Sequence, residues 1–176
     1  PIQPGHKARI HGASGSVGPF AIQIAKALGA EVTAVCSAAK MAFARGFGAD
    51  HVIDYAKEDF TRTGQRYDRI LDISAHRSIL ANRRVLNPGG TYVLIGGSSA
   101  RVLESTFLGP IISLAGSRSM GIDWSWTPMK PEDVASLTRM IDAATIAPVI
   151  DRVYPLAEVP DALRYHEQGR ALGKIV

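Results

Sequence analysis

Arg9-Ile10-His11-Gly12-Ala13-Ser14-Gly15-Ser16-Val17-Gly18, followed by Pro19-Phe20-Ala21-Ile22-Gln23-Ile24-Ala25-Lys26-Ala27-Leu28-Gly29, is the stretch that decides the fold. A short strand enters a glycine-rich turn and leaves as an apolar, alanine-rich helix. That geometry holds a dinucleotide pyrophosphate: backbone N–H groups from Ser14 to Val17 point at the anion, and the helix dipole favours negative charge there. Gly15 lets the backbone approach the phosphates, and Gly18 lets the helix pack closely on its strand. The Ser16 hydroxyl offers a further phosphate hydrogen bond. The first position of the G-x-G-x-x-G pattern is Ala13, preceded by Gly12, so the turn reads A-x-G-x-x-G.

Working outward, Glu31-Val32-Thr33-Ala34-Val35-Cys36-Ser37 is a second strand, arriving where a βαβ unit of about 30 residues places one. An NAD-selective site presents Asp or Glu to the ribose about 20 residues beyond the glycines. This chain has Cys36-Ser37-Ala38-Ala39-Lys40 instead. With no carboxylate to repel a 2′-phosphate, a hydroxyl at Ser37 and a positive charge at Lys40, the expected cofactor is NADP(H) in preference to NAD(H). Ser37 is equally placed to cap the helix that follows.

The rest of the chain alternates short apolar runs with helical patterns, which argues for a doubly wound parallel α/β sheet, a Rossmann fold. Strands are expected at residues 8–12, 31–35, 51–54, 67–73 and 91–95. Helices are expected at 16–28, 41–47 and 79–85, with a weak turn near 58–63. Beyond Gly96, residues 97–100 read as a loop and 107–114 as a short helix. Met120–Trp126 has a strand-like pattern, and Pro131 opens a helix with Glu132 and Asp133 in its first turn. From about Pro148 the character changes, with a helix over 159–168 and a last strand at 174–176. The division expected is therefore 1–147 for the cofactor-binding domain and 148–176 for a return segment.

Composition excludes several function classes. Hydrophobic residues make up 46% and charged residues 20%, the balance of a soluble α/β domain. No apolar run is long enough to span a membrane, and nothing at the start resembles a secretory signal. The single Cys36 excludes a disulfide framework and fits a cytoplasmic setting. The net charge of +4 comes from scattered basic residues without aromatic interleaving, so nucleic acid is not an expected partner. The five histidines lack metal-ligand spacing, so no metal site is expected. The turn lacks the G-x-S-x-G of a nucleophile elbow, and no Tyr-x-x-x-Lys pair marks a short-chain dehydrogenase.

Together with the turn, Leu28 to Ser37, Gly48-Ala49-Asp50-His51-Val52-Ile53-Asp54-Tyr55, Asn87-Pro88-Gly89-Gly90-Thr91-Tyr92-Val93-Leu94-Ile95-Gly96 and Gly169-Arg170-Ala171-Leu172-Gly173-Lys174-Ile175-Val176 resemble the medium-chain dehydrogenase/reductase superfamily. The resemblance is greatest to its zinc-independent, quinone-oxidoreductase-like branch, which commonly shows A-x-G-x-V-G in the turn. It implies hydride transfer between NADP(H) and a small-molecule carbonyl or quinone substrate, or an alcohol in reverse. It also implies that the chain is the cofactor-binding fragment, since the family's barrel-like catalytic domain would precede Pro1. The return segment would then expose Val149, Val153, Leu163 and Val176, or use them in assembly, and a homo-oligomer is left open.

By the same resemblance, Tyr55 flanks the adenosine phosphate and Arg170 helps to hold the 2′-phosphate. Ser74, at the carboxyl edge of the fourth strand, is a candidate for ribose or carboxamide contact. Ala75 stands where the family shows glycine and narrows that edge, and Asp72 is expected to bond nearby backbone. Gly96 and Gly97 would flank the nicotinamide, where side chains collide. No catalytic residue is assigned. Two other readings stay open: a non-catalytic NADP(H)-binding interaction module, and a fragment of a zinc-dependent alcohol dehydrogenase.

Overall fold

In the computed structural model, which describes residues 1–122 and 130–176, the central strand β1 (Lys7–His11) is flanked by two parallel neighbours. On one side lies β2 (Glu31–Cys36) and then β3 (His51–Asp54). On the other lie β4 (Tyr67–Asp72), β5 (Leu86–Leu94) and β6 (Ser119–Ile122). The order β3-β2-β1-β4-β5-β6 is that of the doubly wound dinucleotide-binding fold, with its switch point between β1 and β4. Parallel strands require crossover connections; here α1 (Gly18–Ala27), α2 (Met41–Gly46), α3 (Ile79–Arg84) and α4 (Ser99–Leu114) lie between them. Strands covered on both faces are near-continuously apolar, and β2 runs Val32-Thr33-Ala34-Val35-Cys36 entirely buried.

The core divides by sheet half. Ile10, Val32, Ala34 and Cys36 pack with Ile22 and Ala25 of α1 and Ala44 of α2. Tyr67, Ile70, Leu86, Tyr92 and Leu94 pack with Ile79 of α3 and Met120 of β6. One carboxylate ties the first βαβ unit together: Asp50 accepts from the Val32 N–H at 2.7 Å and from Lys26 Nζ at 2.8 Å.

Two elements differ from the sequence expectation. The fifth strand starts at Leu86 rather than Thr91, because Leu86 pairs with Tyr67 across a register shift. The loop expected at 97–100 and the short helix at 107–114 merge into the sixteen-residue α4. Ser98 takes the extended N-cap conformation, and Arg101 pairs with Glu104 one turn on. Around 58–63 the chain makes turns and no helix, pinned by Asp59 accepting from Thr61 N–H and Oγ1. The strand expected at 120–126 is seen through Ile122; Trp124 and Trp126 lie outside the described residues.

The later segment comprises α5 (Pro131–Asp142), β7 (Ile150–Arg152), α6 (Val159–Glu167) and β8 (Lys174–Ile175). β7 and β8 form their own two-stranded parallel sheet. Val153, Leu163 and Val176 are exposed as expected, whereas Val149 is half-buried against Gly173.

Candidate active site cleft

At the carboxyl ends of β1 and β4 the chain diverges to opposite sides, and a cleft of about 280 Å³ opens between the two exits. Its walls include Gly12, Ser14 and Gly15 after β1, Cys36 at the end of β2 with Ser37 and Lys40 beyond it, Tyr55 after β3, and Ile73, Ser74 and His76 after β4. The position is the one where open α/β sheets bind ligands.

The three glycines of the turn have three different reasons. Gly12 has φ +78°, and a Cβ there would lie 3.1 Å from Ser74 Cβ, so it lets the exits of β1 and β4 come together. A Cβ on Gly18 would lie 2.2 Å from the Ala13 carbonyl carbon, so α1 rests directly on the turn. Gly15 has neither constraint: its added Cβ would meet only Gly12 O, at 3.7 Å. The room at Gly15 is a cradle on the cleft wall, suited to an anion. No side chain caps α1, whose N-cap is Val17, so its first amides are left for a ligand.

The sequence-derived residues distribute as follows. Ser14, Gly15, Ser37, Lys40, Tyr55 and Ser74 come together on the cleft wall. Val17 is the α1 N-cap, and Ser16 donates its hydroxyl to the Gly173 carbonyl at 3.3 Å. Ser37 stands in an extended N-cap conformation before the turn at 38–40, but its side chain accepts no capping bond. Lys40 donates to two backbone carbonyls far along the chain, Gly169 O at 2.8 Å and Ala171 O at 3.0 Å. Arg170, between them, is exposed, with Nη1 3.4 Å from Gln168 Oε1.

Gly96 and Gly97 pack on the β4 exit and not on the cleft wall. A Cβ on Gly96 would come 2.8 Å from Ile73 O, and one on Gly97 (φ +147°) would come 2.8 Å from Ala75 Cβ. Ala75 is fully buried and bridged to Gly97, so its methyl is accommodated by the missing side chain opposite.

Asp72 departs from expectation. Its carboxylate accepts from two buried side chains rather than from backbone: it lies 2.8 Å from His11 Nδ1 and receives the Tyr92 hydroxyl at 3.1 Å. The carboxyl ends of β1, β4 and β5 are thereby fastened beneath the cleft. Burial pushes the Tyr92 hydroxyl well above its ordinary pKa, and Asp72 adds to the effect, so Tyr92 stays a neutral donor.

Sequence reasoning also missed three neighbours. His11 lines the cleft, its ring 4.8 Å from Phe60 and 5.8 Å from His76. Phe60 is held by fully buried Arg9, whose guanidinium lies 4.7 Å from its ring, donates to its carbonyl at 3.4 Å and bonds Asn82 Oδ1. Burial lowers the Arg9 pKa to about 10, which leaves it charged at neutral pH. Only the charge of Arg9, set between the apolar Ala8 and Ile10, signalled this role. Cys36 lines the cleft, but burial and then Asp54 push its thiol up, so it is a poor nucleophile.

The cleft wall carries the cation of Lys40 and no carboxylate. Among the described residues no group of three or more His, Cys, Asp or Glu is placed to hold a metal. No helix there is long and apolar enough to cross a membrane.

Comparison with known proteins agrees with this geometry. The family model described as zinc-binding dehydrogenase matches residues 47–176. The chain is 34% identical over 190 residues to the mouse protein named NAD(P)H oxidoreductase RTN4IP1, mitochondrial, covering 98% of this chain and 48% of that one. The chain thus spans about half the length of the curated relatives it matches. Of solved structures, the quinone oxidoreductase of Coxiella burnetii superposes with a TM-score of 0.82 at 24% identity, over 99% of this chain and 53% of that one. That likeness concerns the fold. A thermostable alcohol dehydrogenase from Pyrobaculum aerophilum superposes with a TM-score of 0.78 at 29% identity, over 99% of this chain and 50% of that one. The chain belongs to the zinc-binding dehydrogenase family within the medium-chain dehydrogenase/reductase superfamily.

Proposed function

We propose that this chain is the cofactor-binding part of an NADP(H)-dependent oxidoreductase that moves hydride to or from a quinone, enone, aldehyde or alcohol. The observation that carries the reading is the cleft at the β1–β4 switch point, with an open cradle at Gly15 and, around Ser37, a cation and no acid. In this reading the amides of Ser14, Ser16 and Val17 hold the pyrophosphate over the open Gly15, and Tyr55 flanks the adenosine phosphate. Ser37, Lys40 and Arg170 receive the 2′-phosphate. Ser74 contacts ribose or carboxamide, and Gly96 and Gly97, packed on the β4 exit, flank the nicotinamide. The nicotinamide supplies the hydride, while the protein supplies orientation and exclusion of water. Residues 1–147 form the grip and 148–176 the return segment. Substrate-holding groups belong to the other half of the family's length, so these 176 residues by themselves are expected to bind cofactor weakly and to turn nothing over.

Fluorescence titration with NADPH and NADH tests the reading. NADPH is expected to bind the tighter, and Ser37→Asp to weaken NADPH by about tenfold or more through like-charge repulsion while sparing NADH. Tighter binding of NADH by the natural sequence would sink the assignment. The description of the matching family favours a second reading, a zinc-dependent alcohol dehydrogenase, which metal analysis of the intact protein decides. A cytoplasmic setting is proposed on the lone, buried Cys36; because the mouse relative is named as mitochondrial, cell fractionation is the test.

A further inference from the structure

We infer that Lys40 is a positioning residue: it anchors the C-terminal strap, residues 169–176, to the cleft, and through it the strap and a 2′-phosphate hold one another. The anchor is seen directly. Lys40 Nζ donates to Gly169 O and Ala171 O, 129 and 131 residues away. An ammonium has three donors, so two are spent on the strap. Lys40 itself lines the cleft, which leaves the third for an anion there. The two carbonyls bracket Arg170, and their capture fixes its backbone at the cleft rim while its guanidinium stays exposed. Among the described residues neither cation is paired with a carboxylate.

The same strap is held from the phosphate turn as well. Ser16 Oγ donates to Gly173 O at 3.3 Å. Gly173 itself, at φ +119°, sits where a Cβ would come 2.5 Å from the Val149 carbonyl oxygen. Beyond it, β8 closes on β7: Lys174 N–H donates to Val149 O, Val176 N–H to Arg152 O, and Tyr154 N–H to Val176 O. Upstream, Gln23 of α1 exchanges hydrogen bonds with both the carbonyl and the N–H of Ala147. The strap therefore joins Ser16 of the phosphate turn to Lys40 at the ribose side of the cleft. An anion that takes the third Lys40 donor fixes this side chain, and the strap with it.

The anchor stands on the geometry alone, and the coupling rests on the NADP(H) reading. Amide hydrogen exchange on the intact protein separates them. Without ligand, Lys40→Met is expected to speed exchange at Tyr154, Lys174 and Val176 by about tenfold. Lys40→Arg, which keeps donors and charge, should restore much of the protection, and amides of β1 and β2 should not change in either variant. Unchanged exchange at the three amides in the Met variant overturns the anchor. Saturating adenosine 2′,5′-bisphosphate is expected to slow those amides in the natural protein and not in Lys40→Met, with adenosine 5′-phosphate ineffective. Equal slowing by both nucleotides overturns the coupling. Equal affinity for NADPH and NADH sinks the cofactor reading instead, and leaves the ligand-free comparison to judge the anchor.

Discussion

Gly15 and Gly18 stand three residues apart in one turn, yet they answer to different demands. The A-x-G-x-x-G reading assigned the first fingerprint position to Ala13; the positive φ and the close approach to β4 belong to Gly12, and Ala13 is buried beneath Gly18. Of the three, only Gly15 has room for a side chain, an added Cβ meeting Gly12 O at 3.7 Å. Gly15→Ala is therefore expected to leave the melting temperature within a degree or two while weakening NADPH by about tenfold to a hundredfold, the worth of a displaced hydrogen bond to a charged group. Gly18→Ala forces a methyl into the Ala13 carbonyl, and should cost about 3 kcal/mol of stability by overpacking. Thermal melts and NADPH titration of the two variants side by side check both outcomes.

Among the elements, the joint between β1, β4 and β5 is the one that sequence reading missed. His11, Asp72 and Tyr92 each end or cross a separate strand, 61 and 20 residues from one another through Asp72. No periodicity links them; they meet only because β4 pairs between β1 and β5. Asp72→Ala removes an acceptor of two buried hydrogen bonds and is expected to cost about 3 kcal/mol, since bonds to a charged group contribute about 1.5–3 kcal/mol each. A urea-unfolding midpoint that stays put would refute the joint. By contrast, α1 was legible because Pro19, Ile22 and Ala25 recur on one face and are buried together with Gly18. The early start of β5 was hidden because Asn87-Pro88-Gly89-Gly90 reads locally as a turn, and only its pairing with β4 makes the segment a strand.

For the whole molecule, three carboxylates with lowered pKa values contribute to acid stability. Burial pushes Asp50 up, but the hydrogen bonds from Lys26 and Val32 outweigh it and hold the group below its usual value. In Asp68 burial is likewise outweighed, by the Lys7 N–H and Asn87. Asp59 is lowered mainly by the Thr61 hydroxyl, against a smaller opposing effect of burial. A depressed folded pKa means that the unfolded chain binds protons first, so the contribution is full above the unfolded value near 4 and is lost as pH falls through the folded one. Stability to urea is expected to be flat with respect to these groups above about pH 5 and to drop below about pH 4. Asp50→Asn should shallow that drop; an unchanged pH profile would remove Asp50 from the account.

What the sequence determined alone is whatever local pattern decides: the strand–turn–helix at 7–27, the alternation that makes a parallel sheet, and the absence of an acid after β2. Each depends on residues within a few turns of chain, where sterics and periodicity act directly. The tertiary structure decided the rest. It sent Lys40 to the carbonyls of Gly169 and Ala171, joined His11 and Tyr92 through Asp72, set Arg9 against Phe60, and packed Gly96 and Gly97 on the β4 exit. Those pairings link residues far apart along the chain, and their geometry exists only once the sheet has fixed which strand ends stand side by side.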